Sequence, residues 1–274
     1  MNLLATFNKD YFFYFQVMLD SFVKHHQDHE INVFVVCNDI EERNLDLIRN
    51  NYKNLNVSLI RYQNQILDRA KTTYRFPKEV YARLYAAEYL PEEIDRVLYL
   101  DPDTIVLKNL AAFYRMEFDG SYFIGASNVK RFFTAFNNWK NKAKKGSKYL
   151  NTGVLLINVE KLRRKQNIEE LNDYIIKNEN RLFLPDQDVL NALYGTKVSL
   201  IEHLKYNLSD RAITRHNLAN RKKIDYRWVE KYAYVLHFYG KNKPWNNKYK
   251  GILRPFYQFH AKRVESLHKT ILSN

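Results

Sequence analysis

Short apolar runs alternate with amphipathic segments through the first hundred of 274 residues, and this alternation restricts the fold more than any other feature of the chain. Leu3–Phe7 reads as a strand, Tyr11–His25 as an amphipathic helix, and Ile31–Cys37 as a second strand carrying the β-branched Val33, Val35 and Val36. Asp39 and Glu42 have the spacing of a capping box, which predicts a helix reaching about Asn51. Val57–Tyr62 is a third strand, Pro77 opens a helix through Tyr89, and Arg96–Leu100 is a fourth strand. The rhythm predicts an α/β fold, a mostly parallel sheet with helices on both faces.

Beyond it, the pattern predicts a short helix over Asn109–Met116 and strands at Tyr122–Ala126, Gly153–Asn158 and Val235–Phe238. Helices are expected over Glu169–Asn178 and from Asp186 to Tyr194, the latter just after Pro185. Lys130–Lys148 reads as a mobile basic and aromatic surface excursion, and Asn207–Lys231 as a polar loop region. With no repeat or linker in view, the division is one domain over residues 1–247 and a basic, partly helical tail over 248–274.

Composition sets limits. Hydrophobic residues make up 46% of the chain, enough for a packed core. Cys37 is the only cysteine, which excludes an internal disulfide framework and a cysteine zinc site. Met1–Phe7 has no basic n-region, and no apolar run approaches the ~18 residues of a membrane span, so the expected location is the cytoplasm. Lys and Arg number 44 against 30 Asp and Glu, a formal charge of +14, which predicts an anionic partner. Only seven glycines occur, and none falls in a Gly-x-Gly-x-x-Gly or P-loop pattern. A nucleotide-binding chain of this kind must neutralise phosphates with a metal and basic side chains instead.

The apolar run Val97–Leu100 ends in Asp101-Pro102-Asp103. Open α/β sheets bind ligands beyond the carboxyl ends of their strands, and two hard oxygen ligands there suit Mg²⁺ or Mn²⁺. A solvated Asp-Pro-Asp turn is the plain alternative. Downstream, His237-Phe238-Tyr239-Gly240-Lys241-Asn242-Lys243-Pro244-Trp245 offers an imidazole that Mn²⁺ accepts more readily than Mg²⁺, a glycine permitting close backbone approach, and a lysine for a phosphate; taken alone, His237 reads first as a core histidine at a strand end beside a structural Pro-Trp. Pro185-Asp186-Gln187-Asp188 places two acids and an amide at a helix start, either as ordinary capping or as a cluster that grips sugar hydroxyls. Tyr149-Leu150-Asn151-Thr152-Gly153 sets an amide and a small residue before a buried strand.

These segments in this order, with Tyr81-Ala82-Arg83-Leu84 upstream, resemble glycosyltransferase family 8 over roughly Leu3 to Trp245. The resemblance implies a GT-A, Rossmann-like fold and a retaining transfer of glucose or galactose from a UDP-hexose to a glycan, lipid-linked or protein acceptor. It matches Asp101, Asp103 and His237 to the Mn²⁺ ligands, and Gly240 and Lys243 to the diphosphate contacts. Ala5, Thr6, Asn8 and Tyr11 fall in the loop expected to hold uridine, with Tyr11 stacking on uracil and Asn8 standing where the family has an acid. Arg83, Asn151, Asp186 and Gln187 fall around the donor sugar. Gln187 would position and stabilise, Asp186 would hold sugar hydroxyls, and Asp188 would support them. A further family acid is replaced by the amide Asn128.

Two rival readings stay open at this level. Asp-x-Asp after an apolar strand is also the nucleophile motif of haloacid-dehalogenase-type phosphatases, though about a hundred residues precede it here. The +14 charge admits a non-catalytic nucleic-acid-binding protein, but that reading leaves the Asp-x-Asp and His-x-x-Gly-x-x-Lys spacings without a use, so no nucleic-acid partner is expected. The basic, aromatic tail, with Lys250, Arg254, Lys262 and Arg263 among Ile252, Leu253, Phe256, Tyr257 and Phe259, suits either peripheral contact with an anionic membrane at its inner face or a basic helix packed on the domain.

Overall fold

The computed structural model describes residues 1–66, 79–127 and 137–272, with side chains through Lys269. Pro77, Asn128 and the first part of the Lys130–Lys148 segment lie outside the described residues.

Nine strands are described: β1 (Asn2–Thr6), β2 (Ile31–Val36), β3 (Leu55–Ile60), β4 (Arg96–Leu100), β5 (Thr104–Val106), β6 (Phe123–Ala126), β7 (Val154–Asn158), β8 (Val198–Ile201) and β9 (Val235–His237). Seven form one sheet in the order β3-β2-β1-β4-β7-β6-β8, and β5 pairs with β9 apart from it. Every pairing in the large sheet is parallel except those of β7, which runs against β4 and β6. The mostly parallel sheet is the one the apolar rhythm predicts.

Successive strand residues point to opposite faces, and each face is covered, so the central strands read as continuous apolar runs. Leu3, Ala5, Val33, Val35, Leu98, Leu100 and Leu156 pack with Phe15, Met18 and Phe22 of the Phe12–Lys24 helix and Leu45 of the Arg43–Asn51 helix. On the other face Leu4, Phe34, Val97, Tyr99, Leu155 and Ile157 meet Tyr85, Leu171 and Leu190.

Several details depart from the sequence reading. No capping box forms: the Arg43–Asn51 helix is preceded by Glu42 in helical conformation without a side-chain cap, because Asp39 Oδ1 accepts from the Lys9 amide at 2.8 Å and from Cys37 Sγ at 3.1 Å. The polar stretch 207–231 is not a loop. Ser209 caps an Asp210–Ala219 helix and Asp225 caps a Tyr226–Tyr232 helix, and both rest on few apolar contacts, including Ala212, Ile213 and Val229. The described part of the 130–148 excursion is tied to the domain by buried contacts. Asn141 and Ser147 are buried, and Asn141 Nδ2 donates to Asp188 Oδ1 at 2.9 Å.

The Arg254–Leu272 helix lies along the Phe12–Lys24 helix. Leu253, Tyr257, Ala261 and Val264 are buried, while Ile252 and Phe259 stay exposed. Buried Asp20 accepts from His260 Nδ1 at 2.6 Å and from the Tyr52 hydroxyl at 2.8 Å, with Arg263 Nε at 3.2 Å. Among the described residues no helix is long and apolar enough to cross a membrane.

Candidate active site

In the strand order 3-2-1-4 the chain winds outward in both directions from the β1–β4 boundary, the switch point at which open α/β sheets form ligand crevices. Thr6 ends β1 and Asp101 follows β4, and the Tyr99 hydroxyl spans them, 3.2 Å from Thr6 Oγ1 and donating to Asp101 Oδ1 at 2.7 Å. Ala5 is fully buried beside Thr6 in β1.

The Asp-Pro-Asp turn closes when Thr104 donates to the Asp101 carbonyl through its amide at 3.1 Å and its hydroxyl at 2.7 Å. The chain then enters β5, whose pairing sets Thr104 opposite His237. The Phe238 amide donates to the Asp103 carbonyl at 2.9 Å, so a ladder between residues far apart in sequence fixes the imidazole beside the turn. His237 Nε2 lies 3.4 Å from Asp101 Oδ2 and 3.2 Å from Asp103 Oδ1. These three residues each present a ligand atom, all within 4.8 Å of one another.

His237 Nδ1 bonds Asn207 Oδ1 at 2.8 Å, Asn207 Nδ2 donates to Asn151 Oδ1 at 2.9 Å, and Asn151 Nδ2 donates to Gln187 Oε1 at 3.2 Å. With the amides so oriented, Nδ1 is the donor and Nε2 is turned to the carboxylates, the arrangement of a metal-binding histidine held from behind. Burial disfavours the imidazolium, yet Asp103 and Asp101 raise the His237 pKa to about 9. Burial would raise the Asp103 carboxyl, but Lys243 and His237 hold it far below the usual range. The Lys243 ammonium pairs with Asp103 Oδ2 and donates to the Phe238 carbonyl at 3.1 Å.

Arg83 is buried between two acids, its Nη1 3.0 Å from Asp101 Oδ1 and 3.3 Å from Asp186 Oδ2, and donates to the Thr152 carbonyl at 3.0 Å. Burial raises the Asp186 pKa, and Arg83 opposes the shift. Among the described residues, Arg83 Nε and Asp186 Oδ2 are buried without a hydrogen-bond partner, as is Asn8 Oδ1 in the loop after β1. Unmet polar atoms of this kind are rare in folded proteins and call for a ligand or water.

Asp188 is occupied differently. Its oxygens take Lys140 Nζ, Asn141 Nδ2, the Tyr149 hydroxyl at 2.5 Å, and the amides of Phe183 and Leu184. It ties the 137–149 segment to the helix that carries Gln187. Gly240, in the left-handed region at φ +98°, follows His237 by three residues. Tyr11 lies edge-on to Trp245 at 6.1 Å, and Trp245 stacks on Tyr14 at 3.7 Å. The structure thus gathers Thr6, Arg83, Asp101, Asp103, Asn151, Asp186, Gln187, His237 and Lys243 into one connected group. Asp101 is poorly placed as the nucleophile of a phosphatase, since Oδ1 is held by Tyr99 and Arg83 and Oδ2 faces His237.

Two residues escaped the sequence reading. Asn207 orients His237, and nothing in the sequence marks it. Gly153 was visible only as a small residue before a strand; a Cβ there would stand 2.2 Å from His237 Cε1 and 2.5 Å from Asp101 Oδ2. The cradle, the two hard oxygens and the oriented imidazole fit a divalent ion of the Mn²⁺ or Mg²⁺ type.

Comparison with known proteins bears on the fold and the family. The chain is 25% identical over 244 residues to general stress protein A of Bacillus subtilis, covering 85% of this chain and 82% of that protein. It is 26% identical over 178 residues to an Escherichia coli lipopolysaccharide 1,2-glucosyltransferase, covering 63% of this chain and 51% of that enzyme. The crystal structure of the galactosyltransferase LgtC with donor and acceptor sugar analogues superimposes with a TM-score of 0.80 at 22% identity, over 96% of both chains, which identifies the fold as GT-A. The sequence pattern of glycosyl transferase family 8 matches residues 2–249, and the chain belongs to that family.

Proposed function

We propose that this glycosyltransferase moves glucose or galactose from a UDP-sugar to a glycan, lipid-linked or protein acceptor, with retention of the donor's α configuration. The observation that carries the reading is the convergence of Asp101, Asp103 and His237 at the switch point, with Lys243 against Asp103. Asp101, Asp103 and His237 would hold Mn²⁺, or Mg²⁺, which when bound stabilises negative charge on a departing diphosphate.

Lys243 exchanges its contact with Asp103 for a phosphate oxygen. Gly240 lets the diphosphate approach its backbone. Asn8 Oδ1 accepts from the uracil imide, and Tyr11 stacks on the base. Arg83 holds Asp186 in place by charge, and Asp186 Oδ2, which lacks a hydrogen-bond partner among the described residues, accepts from a sugar hydroxyl. A carboxamide is a poor nucleophile, so Gln187, tied to Asn151, positions the sugar and stabilises positive charge at the anomeric carbon.

Acceptor and leaving group then share one face of the sugar. The acceptor oxygen bonds to the anomeric carbon as the bond to the diphosphate breaks, and the acceptor proton passes to the departing phosphate oxygen. No separate general base is needed. Proton NMR of the first-formed product tests this reading: an α linkage supports it, and a β linkage overturns both the mechanism and the role of Gln187.

A further inference from the structure

A cleft of about 460 Å³ opens away from the carboxylate–imidazole cluster, between the Ile168–Asn178 helix, the turn at Asn141–Lys144, and the far half of the Pro185–Tyr194 helix. Its volume is that of a small-molecule site. Tyr174, Ala192 and Leu193 give it an apolar floor. Lys142, Lys144, Lys177 and Arg181 line it against a single acid, Glu170. Lys177 is paired with Asp173 at 2.5 Å, whereas Lys142, Lys144 and Arg181 pair with no carboxylate among the described residues.

The backbone of the turn is fixed by its own hydrogen bonds. Lys142 adopts φ +53°, a left-handed conformation that asparagine or glycine would fill with less strain. It is pinned on both sides, with the Lys142 amide donating to the Trp139 carbonyl at 3.2 Å and the Ala143 amide to the Asn138 carbonyl at 2.8 Å. The Tyr174 hydroxyl donates to the Asn141 carbonyl at 2.7 Å, and Asn141 Nδ2 bonds Asp188, the neighbour of Gln187. The cleft therefore shares a hydrogen-bonded turn with the helix that carries Gln187.

We propose that this cleft is a second binding site, for an anionic sugar unit: a hexose bearing a phosphate or a carboxylate. Lys142, Lys144 and Arg181 take the charge, and Tyr174 and Leu193 take the apolar face of the ring. Neither a neutral sugar nor a bare anion satisfies both walls. The unit is either free or part of a longer glycan.

Calorimetric titration of the protein saturated with Mn²⁺ and UDP tests the site directly, without relying on transfer activity. Glucose 6-phosphate and glucuronate bind, glucose does not, and inorganic phosphate binds at least tenfold more weakly than glucose 6-phosphate. The combined Lys142→Gln, Lys144→Gln, Arg181→Gln variant loses at least tenfold in sugar-phosphate affinity and keeps its UDP affinity. A phosphorylated oligosaccharide separates the sources: tighter binding than the monosaccharide assigns the site to a glycan, weaker binding to a free sugar phosphate, and both uphold it. Equal binding of inorganic phosphate and glucose 6-phosphate, an unaltered affinity in the variant, or no binding at all overturns the proposal.

Discussion

The His237 ring lies so close over the Gly153 backbone that a single methyl group at Gly153 would stand 2.2 Å from Cε1 and 2.7 Å from Nε2. The imidazole can reach Asp101 and Asp103 only because this position lacks a side chain. Gly153→Ala should push His237 away and lower Mn²⁺ affinity by about 10–100-fold, the usual cost of disturbing the support of a metal ligand. Circular dichroism would show the fold retained, and titration with Mn²⁺ and UDP would show the loss.

Metal and proton should compete at His237. Its pKa, lowered by burial but raised further by Asp103 and Asp101, stands at about 9, so near neutrality the ring must lose a proton to bind an ion. Mn²⁺ affinity should climb by about tenfold per pH unit between pH 7 and 8.5. Titrations in buffers of different ionisation enthalpy should also report a released proton. An affinity flat across that range would remove His237 from the ligand set.

Gln187 and Asp188 are sequence neighbours with different expected phenotypes. Gln187→Ala should lower kcat far more than UDP affinity. Asp188→Ala strands Lys140, Asn141 and the Tyr149 hydroxyl, and should destabilise the fold by about 3–5 kcal/mol, the cost of breaking a buried ion pair. Thermal unfolding and steady-state kinetics on both variants separate the two effects.

Much of this was legible in the sequence, and the reasons are physical. β1, β2, β4 and β7 are buried on both faces, so each appears as an apolar run. β5 and β8 span three and four residues, too short to give a period. The β5–β9 pairing joins Thr104 to His237 and has no local signature. The capping box failed because Lys9 and Cys37 compete for Asp39, a tertiary contact that spacing cannot reveal. Asp101 and Asp103 stand out by residue chemistry at a strand end, whereas His237 joins them only through the family resemblance. Asn207 and the clearance at Gly153 could not, because they matter only once two distant segments meet.

The C-terminal helix should contribute to stability through Asp20. Burial raises that carboxyl's pKa, but hydrogen bonds from His260 and Tyr52 and the charges of His260 and Arg263 hold it below its ordinary value. A depressed carboxyl stabilises above its unfolded pKa of about 3.9 and loses that contribution as pH falls through the folded value. Wild type should therefore exceed Asp20→Asn in stability at pH 7, and denaturant unfolding should show the difference closing below about pH 4. A difference independent of pH would deny the linkage.

A divalent ion held by Asp101, Asp103 and His237 would act on a UDP-hexose even with no acceptor present. Many transferases slowly hydrolyse donor without acceptor, so UDP release from UDP-glucose and UDP-galactose can be followed with Mn²⁺, with excess chelator, and in Asp103→Asn. Release is expected with Mn²⁺ and should be abolished by chelator and by the substitution while the fold persists. Undiminished release in excess chelator, or from Asp103→Asn, would contradict this role of the ion.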